Sequence, residues 1–130
     1  MTITNAIRKA ERILPGKQAR DGERDPRWQA IIGIAEHIKQ HPNQVWCFAR
    51  KWGVHANADI RMAVATCLLE HLLEHHFERM YPLVSDACIQ SKRFANTFSK
   101  CWQFGQARSP RNAARFRALR RDVLGSPPNK

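Results

Sequence analysis

The sequence predicts an all-α protein, a short right-handed stack of antiparallel helix pairs. Three observations lead there. The first is a segment that occurs twice. Asp25-Pro26-Arg27-Trp28 runs on to Glu36-His37-Ile38, and Asp59-Ile60-Arg61-Met62 runs on to Glu70-His71-Leu72, with an offset of 34 residues between Asp25 and Asp59, Arg27 and Arg61, Glu36 and Glu70, and His37 and His71. Ile34, Ala35 and Ile38 lie over Leu68, Leu69 and Leu72 in the same register. A fixed period in this range marks helical repeats, in which each unit buries its apolar face against the next. The second observation is apolar spacing of three and four residues between punctuating Pro, Gly, Asn and Asp. The third is that no segment alternates apolar and polar residues with hairpin turn chemistry, so no sheet is expected.

The elements follow in order. Thr4–Leu14 suits a short amphipathic helix using Ile7, Ala10, Ile13 and Leu14, stopped by Pro15-Gly16. Lys17–Arg24 holds no apolar residue except Ala19 and reads as a mobile linker. Asp25 caps the next helix with Pro26 at its first position, where a missing N–H costs nothing. Trp28, Ile31, Ile32, Ala35 and Ile38 then form one stripe. His41-Pro42-Asn43 ends this helix and starts another, which turns Val45, Phe48, Ala49 and Trp52 inward and closes at Gly53.

Asn57 caps a third, longer helix. Its apolar arc is wide (Ile60, Met62, Val64, Ala65, Cys67, Leu68, Leu69, Leu72 and Leu73), which places it at the centre of the fold. Pro82 should break or kink it near Tyr81. Leu83, Val84, Ala87 and Cys88 continue as a short helix, and Phe94, Phe98, Cys101 and Trp102 give the last core stripe before Gly105. Asn112–Leu124 is helical with Ala114, Phe116, Leu119 and Val123 loosely spaced, and Gly125–Lys130 should be disordered. The buried set expected between stacked helices is Trp28, Ile32, Ile38, Val45, Phe48, Trp52, Val64, Leu68, Leu72, Phe94 and Phe98.

Composition bounds the class. A chain of 130 residues that is 43% apolar, with four Trp and six Phe, can bury one core. No apolar run approaches the ~20 residues of a membrane span, and the N-terminus lacks the apolar stretch of a secretory signal. A cytoplasmic location with no membrane association is therefore expected. Cys47, Cys67, Cys88 and Cys101 are widely spaced inside apolar helical patterns, which suits buried free thiols in a reducing compartment.

The net charge of +11 is unevenly divided: +3 on residues 1–24, +2 on residues 25–102 and +6 on residues 103–130. The expected organisation is a basic N-terminal segment and linker (1–24), a helical domain (25–105) and a basic tail (106–130), partly helical and then disordered. A basic tail on a nearly neutral body suits an acidic partner. Its Arg108, Arg111, Arg115, Arg117, Arg120 and Arg121 favour bidentate contact with phosphate or carboxylate, but a solvated helix that docks on its own body or on another copy suits the stretch better. Removing residues 106–130 is expected to leave the body folded.

A long helix, a tight Pro-containing turn and a shorter helix, repeated, resemble the HEAT and armadillo-type helical repeats. The run Asp59-Ile60-Arg61-Met62-Ala63-Val64-Ala65 looks like an ordinary HEAT helix start, and the resemblance spans residues 25 to about 105. It implies a binding scaffold with a concave face. A subset of HEAT-like proteins repairs alkylated DNA, but no catalytic motif of theirs is matched here.

Several constellations compete with plainer readings. His71, His75 and Glu78 fall at i, i+4 and i+7 on one side of the long helix and could grip a metal ion, yet solvated or capping roles suit such residues better. The repeated Asp/Arg and Glu/His pairs are read as register devices, with Arg reaching a carboxylate in the neighbouring unit. Of the four Trp, Trp46 lies off its helix's stripe and is the candidate interface anchor, against burial of all four. No nucleophile–His–acid set and no glycine-rich phosphate loop is present. The expected function is a non-enzymatic binding or scaffold module for a protein partner, with no cofactor. The second reading is a nucleic-acid-associated protein that uses its Arg-rich ends, and the third is a metal-dependent or repair-like enzyme.

Overall fold

The computed structural model describes residues 1–125. The expected disorder of residues 126–130 lies outside the described residues. At the centre stands one rod of three consecutive parts: α4 (Ala58–Ala63), a π-helical segment (Val64–Leu69) and α5 (Glu70–His75). Val64, Ala65, Leu68, Leu69, Leu72 and Leu73 are all buried, as the wide apolar arc requires. Asn57 caps the rod by accepting the backbone N–H groups of Asp59 and Ile60. Inside it, the Thr66 hydroxyl takes the Met62 carbonyl at 2.8 Å. A side chain that bonds back in this way competes with the backbone ladder, and the helix widens at that turn.

Helices α2 (Pro26–Ala35) and α3 (Pro42–Trp52) cover one side of the rod, and α1 (Ile3–Ile13) lies on α2 and α3. Arg27 at the start of α2 bonds Asp59 at the start of α4, and His76 Nε2 at the rod's far end lies 3.1 Å from the Ile38 carbonyl oxygen beyond the end of α2. Thus α2 and the rod run side by side in the same direction. The chain leaves the far end of α2, returns through α3 and re-enters at the start of α4, so α3 runs against both. Residues 3–14 join this core, with Ala10 and Leu14 fully enclosed and α1 packed on α2.

Helices α6 (Phe77–Gln90), α7 (Lys92–Phe98) and α8 (Pro110–Val123) cover the rest, and no strand occurs among the described residues. The break after the rod falls at His76, with φ −140° and ψ 48°, not at Pro82. Pro82 lies inside α6, so the sequence rule chose the wrong residue. The chain turns where Gln106 Oε1 accepts the N–H of Phe77, at the start of α6, and its Nε2 donates to the His75 carbonyl. One glutamine therefore satisfies both helix ends at the corner.

Other expectations need correction. Ile32 is 42% exposed, because α2 turns Arg27, Ala30, Ile31 and Ile34 inward instead. Trp28 and Trp52 are only partly buried, though packed against the core. Trp102 is 68% exposed and does not extend the Phe94/Phe98/Cys101 stripe. Cys47 is exposed, Cys67 is half-buried, and only Cys88 and Cys101 are buried; all four are free thiols. Ala113 rather than Ala114 faces inward on α8.

The echo of 34 residues does not map onto equal positions. The helix starts Pro26 and Ala58 differ by 32, so Asp25 is a cap whereas Asp59 is the second residue of its helix. Glu36 ends α2, while Glu70 sits inside the continuous rod. Arg27, buried to 3% exposure, donates to Asp25 and, across to α4, to Asp59 at 2.8 Å. Arg61 takes a different task, holding the His55 and Ala56 carbonyls.

Candidate functional site: the face formed by α8 and the Trp102 segment

Helix α8 is not a loose tail. Phe116 is fully enclosed against Phe98, with ring centroids 5.0 Å apart, and Ala113 and Leu119 are buried beside it. Two of the six arginines fasten the helix. Arg115 meets the Glu78 carboxylate at 3.0 Å and lies 4.6 Å from the Tyr81 ring centre, while the Tyr81 hydroxyl donates to the Arg115 carbonyl. Arg120 donates to the Ser99 carbonyl at 2.9 Å and to the Cys101 carbonyl. Both carbonyls follow the last helical residue of α7, where a cation meets groups left without helical partners.

Arg108, Arg111, Arg117 and Arg121 are exposed and make no side-chain hydrogen bond or ion pair among the described residues. Arg117 and Arg121 are spaced i, i+4 and share one face of α8. Arg117 also precedes Arg120 by three residues, so the two are neighbours along α8.

That segment returns from α7 alongside the rod. The Cys101 thiol, fully buried, donates to the Ala65 carbonyl inside the π-helical segment at 3.5 Å, and burial pushes the thiol well above its ordinary pKa. The Trp102 N–H donates to Glu70 Oε1 at 2.9 Å. Gln103 donates to the Ala107 carbonyl, which closes the turn. Gly105 adopts φ +49°, and a Cβ there would stand 2.7 Å from the Glu74 side chain, so glycine suits both the backbone and the space.

Glu70 is buried, and desolvation pushes its carboxyl above the ordinary carboxylate range, partly offset by the Trp102 N–H and the neighbouring His71. His71 Nδ1 lies 2.7 Å from Glu74, and its ring stacks on Phe104 with centroids 5.6 Å apart. His75 lies 3.4 Å from the same Glu74 oxygen. Glu78 is not with them. It lies beyond the His76 break and faces Arg115, so the expected His71/His75/Glu78 line is divided between two elements. No group of three or more His, Cys, Asp or Glu among the described residues is arranged to hold a metal ion.

Trp46 is partly buried, with its ring edge-on to Phe94 at 5.7 Å. The exposed indole is Trp102, which the sequence reading had placed in the core. Its signal was present but misread: Trp102 follows Phe98 by four residues, yet α7 ends at Phe98 and helical spacing no longer applies. No helix among the described residues is long and apolar enough to cross a membrane.

No protein-family model matches the chain, and no characterised protein or solved structure is detectably similar to it.

Proposed function

We propose that this chain binds nucleic acid through phosphate contacts from the outer face of α8, on a body arranged as a short HEAT-like stack. The observation that carries the reading is the division of labour among the α8 arginines. Arg115 and Arg120 hold the helix in place, while Arg111, Arg117 and Arg121 extend from it, and Arg108 from the turn just before it, without side-chain partners among the described residues. Four guanidinium groups on a docked element, in a chain of net charge +11, form a pre-positioned anion-binding face. The parallel course of α2 and the rod, with α3 returning between their ends, supports the helical-stack reading.

The test is a salt titration. Intact protein and a variant with Arg108, Arg111, Arg117 and Arg121 all changed to Gln are titrated with duplex and single-stranded oligonucleotides. Each phosphate contact contributes about 0.9 to the log K against log salt slope on duplex and about 0.7 on a single strand. The variant should bind more weakly, with a slope shallower by about 3 if all four arginines engage phosphate. An unchanged slope would remove α8 as the site. No measurable affinity of the intact protein at low salt would remove the function.

A protein partner is the second reading. An apolar groove of about 480 Å³ between α6, α7 and α8, walled by Cys88, Ile89, Ala95, Leu119 and Val123, favours it. Ile89 is 80% exposed beside it.

A further inference from the structure

Resting on that reading, we propose that the α8 face takes single-stranded nucleic acid and that Trp102 is the platform on which one unpaired base stacks. The indole is the most exposed of the four tryptophans and the only one with no ring or hydrogen-bond partner among the described residues. Trp28 donates to Asp59 at 3.0 Å, Trp46 packs on Phe94, and Trp52 stacks on His55 with centroids 5.4 Å apart.

Exposure alone would say little, since single exposed apolar residues are ordinary. What distinguishes Trp102 is that its backbone is held while its ring is not. Its N–H is taken by Glu70, the preceding carbonyl by Arg120, and the preceding thiol is bonded inside the rod. With the backbone already fixed, only the two side-chain torsions of the indole remain to be ordered when something stacks on it. Arg120 on α8 holds the carbonyl of Cys101, so the backbone that carries Trp102 is tied to the helix that carries the exposed arginines.

Charge and stacking together select the ligand. Arginines facing solvent suit a phosphate backbone, and an indole face beside them suits a nucleobase. In a duplex the bases are paired and stacked within the helix, out of reach of a ring projecting from a protein surface. In a single strand they can turn out and stack on it. The stacking is tolerant of sequence, because every base presents a π-face.

The experiment uses the full chain, an oligothymidine strand, and a blunt DNA hairpin of the same phosphate number whose loop is a base-free ethylene glycol linker. Trp102→Ala should lower affinity for the single strand by roughly 5- to 150-fold, the range for loss of one base–aromatic stack. Affinity for the hairpin and both salt slopes should not move. Trp102→Phe should recover much of the single-strand affinity, and the Trp102 share of emission quenching by oligothymidine should vanish in it. Equal loss on strand and hairpin, or no loss on the strand, would overturn the proposal. If Trp102→Ala is silent while the four-arginine variant still flattens the salt slope, this inference fails and the phosphate reading stands. If the intact protein binds neither probe at low salt, both fall, and Trp102 becomes the anchor for a protein partner instead.

Discussion

Glu70 shows how much one buried carboxyl can decide. Its burial raises its pKa above the ordinary 4.5, with His71 and the Trp102 N–H pulling back and Glu74 pushing further up. Between 4.5 and the raised native value, the folded protein holds a proton that the unfolded chain has released. Stability from this group is therefore complete below 4.5 and declines as pH rises through the native value. Asp25 acts oppositely. Its side-chain bond with Arg27 lowers its pKa below 3.8, so its contribution is present above that value and is lost as pH falls through the native one. Glu70→Gln removes the titrating group, and its amide oxygen can still accept the Trp102 N–H. The variant should be more stable than the parent at neutral pH, and the gap should close below 4.5. Urea midpoints of both proteins across the acid-to-neutral range check this, and the Asp25 effect cancels in the difference. A gap that grows toward acid would reverse the assignment. The sequence made part of this scale legible. Arg27 reaching Asp59 followed from the echoed pairs, because a long cation beside a repeated carboxylate has few other partners. Arg27 facing inward did not follow, because helical spacing alone fits the 28/31/35/38 and 27/30/34/38 stripes equally well, and a charged residue biased the choice.

At the scale of elements, the caps and helix starts were legible and the breaks were not. Asn57, Asp25 and Pro42 mark helix starts through local chemistry that needs no tertiary partner. The stop at His76 depends on Gln106, which lies some thirty residues further along the chain and leaves no local mark. The π-helical widening is equally hidden. It sets the direction of Glu70 relative to α4, and so the placement of the Trp102 segment. Gly53 closes α3 as expected, with φ −67°, an ordinary helical value. Its need for glycine is steric. A Cβ would stand 2.6 Å from the Ala49 carbonyl oxygen and 3.1 Å from the Phe94 ring, while the Gly53 carbonyl accepts from the buried Thr97 hydroxyl at 2.6 Å. Gly53→Ala should therefore destabilise the protein by about 1–3 kcal/mol, as overpacking does. Thermal or urea unfolding reads this directly, and unchanged stability would show that the α3–α7 contact can open without cost.

At the scale of the whole molecule, the charge division set residues 106–130 apart as a basic tail, whereas α8 packs into the core. Composition shows where arginines lie, not which of them the fold consumes. Phe116 and Leu119 sit at loose spacing in an arginine-rich stretch, so their depth was not legible, although both are core residues. This changes what a truncation means. Removing residues 106–130 deletes Ala107, Ala113, Phe116 and Leu119 from the core and uncovers Phe98 and Tyr81. It also removes Gln106, which satisfies the His75/Phe77 corner, and Arg120, which holds the Ser99 and Cys101 carbonyls. Loss of one buried Phe side chain alone costs about 3–5 kcal/mol, a large share of the 5–15 kcal/mol that ordinarily holds a domain together. The shortened chain should therefore lose its cooperative thermal transition or melt far below the intact protein, and loss of nucleic-acid binding in it would say nothing about phosphate contacts. Phe116→Ala in the full-length chain should show the same weakness with every arginine retained. A truncated chain with an undiminished melting transition would return α8 to the status of a tail and detach the Trp102 segment from the argument built on Arg120.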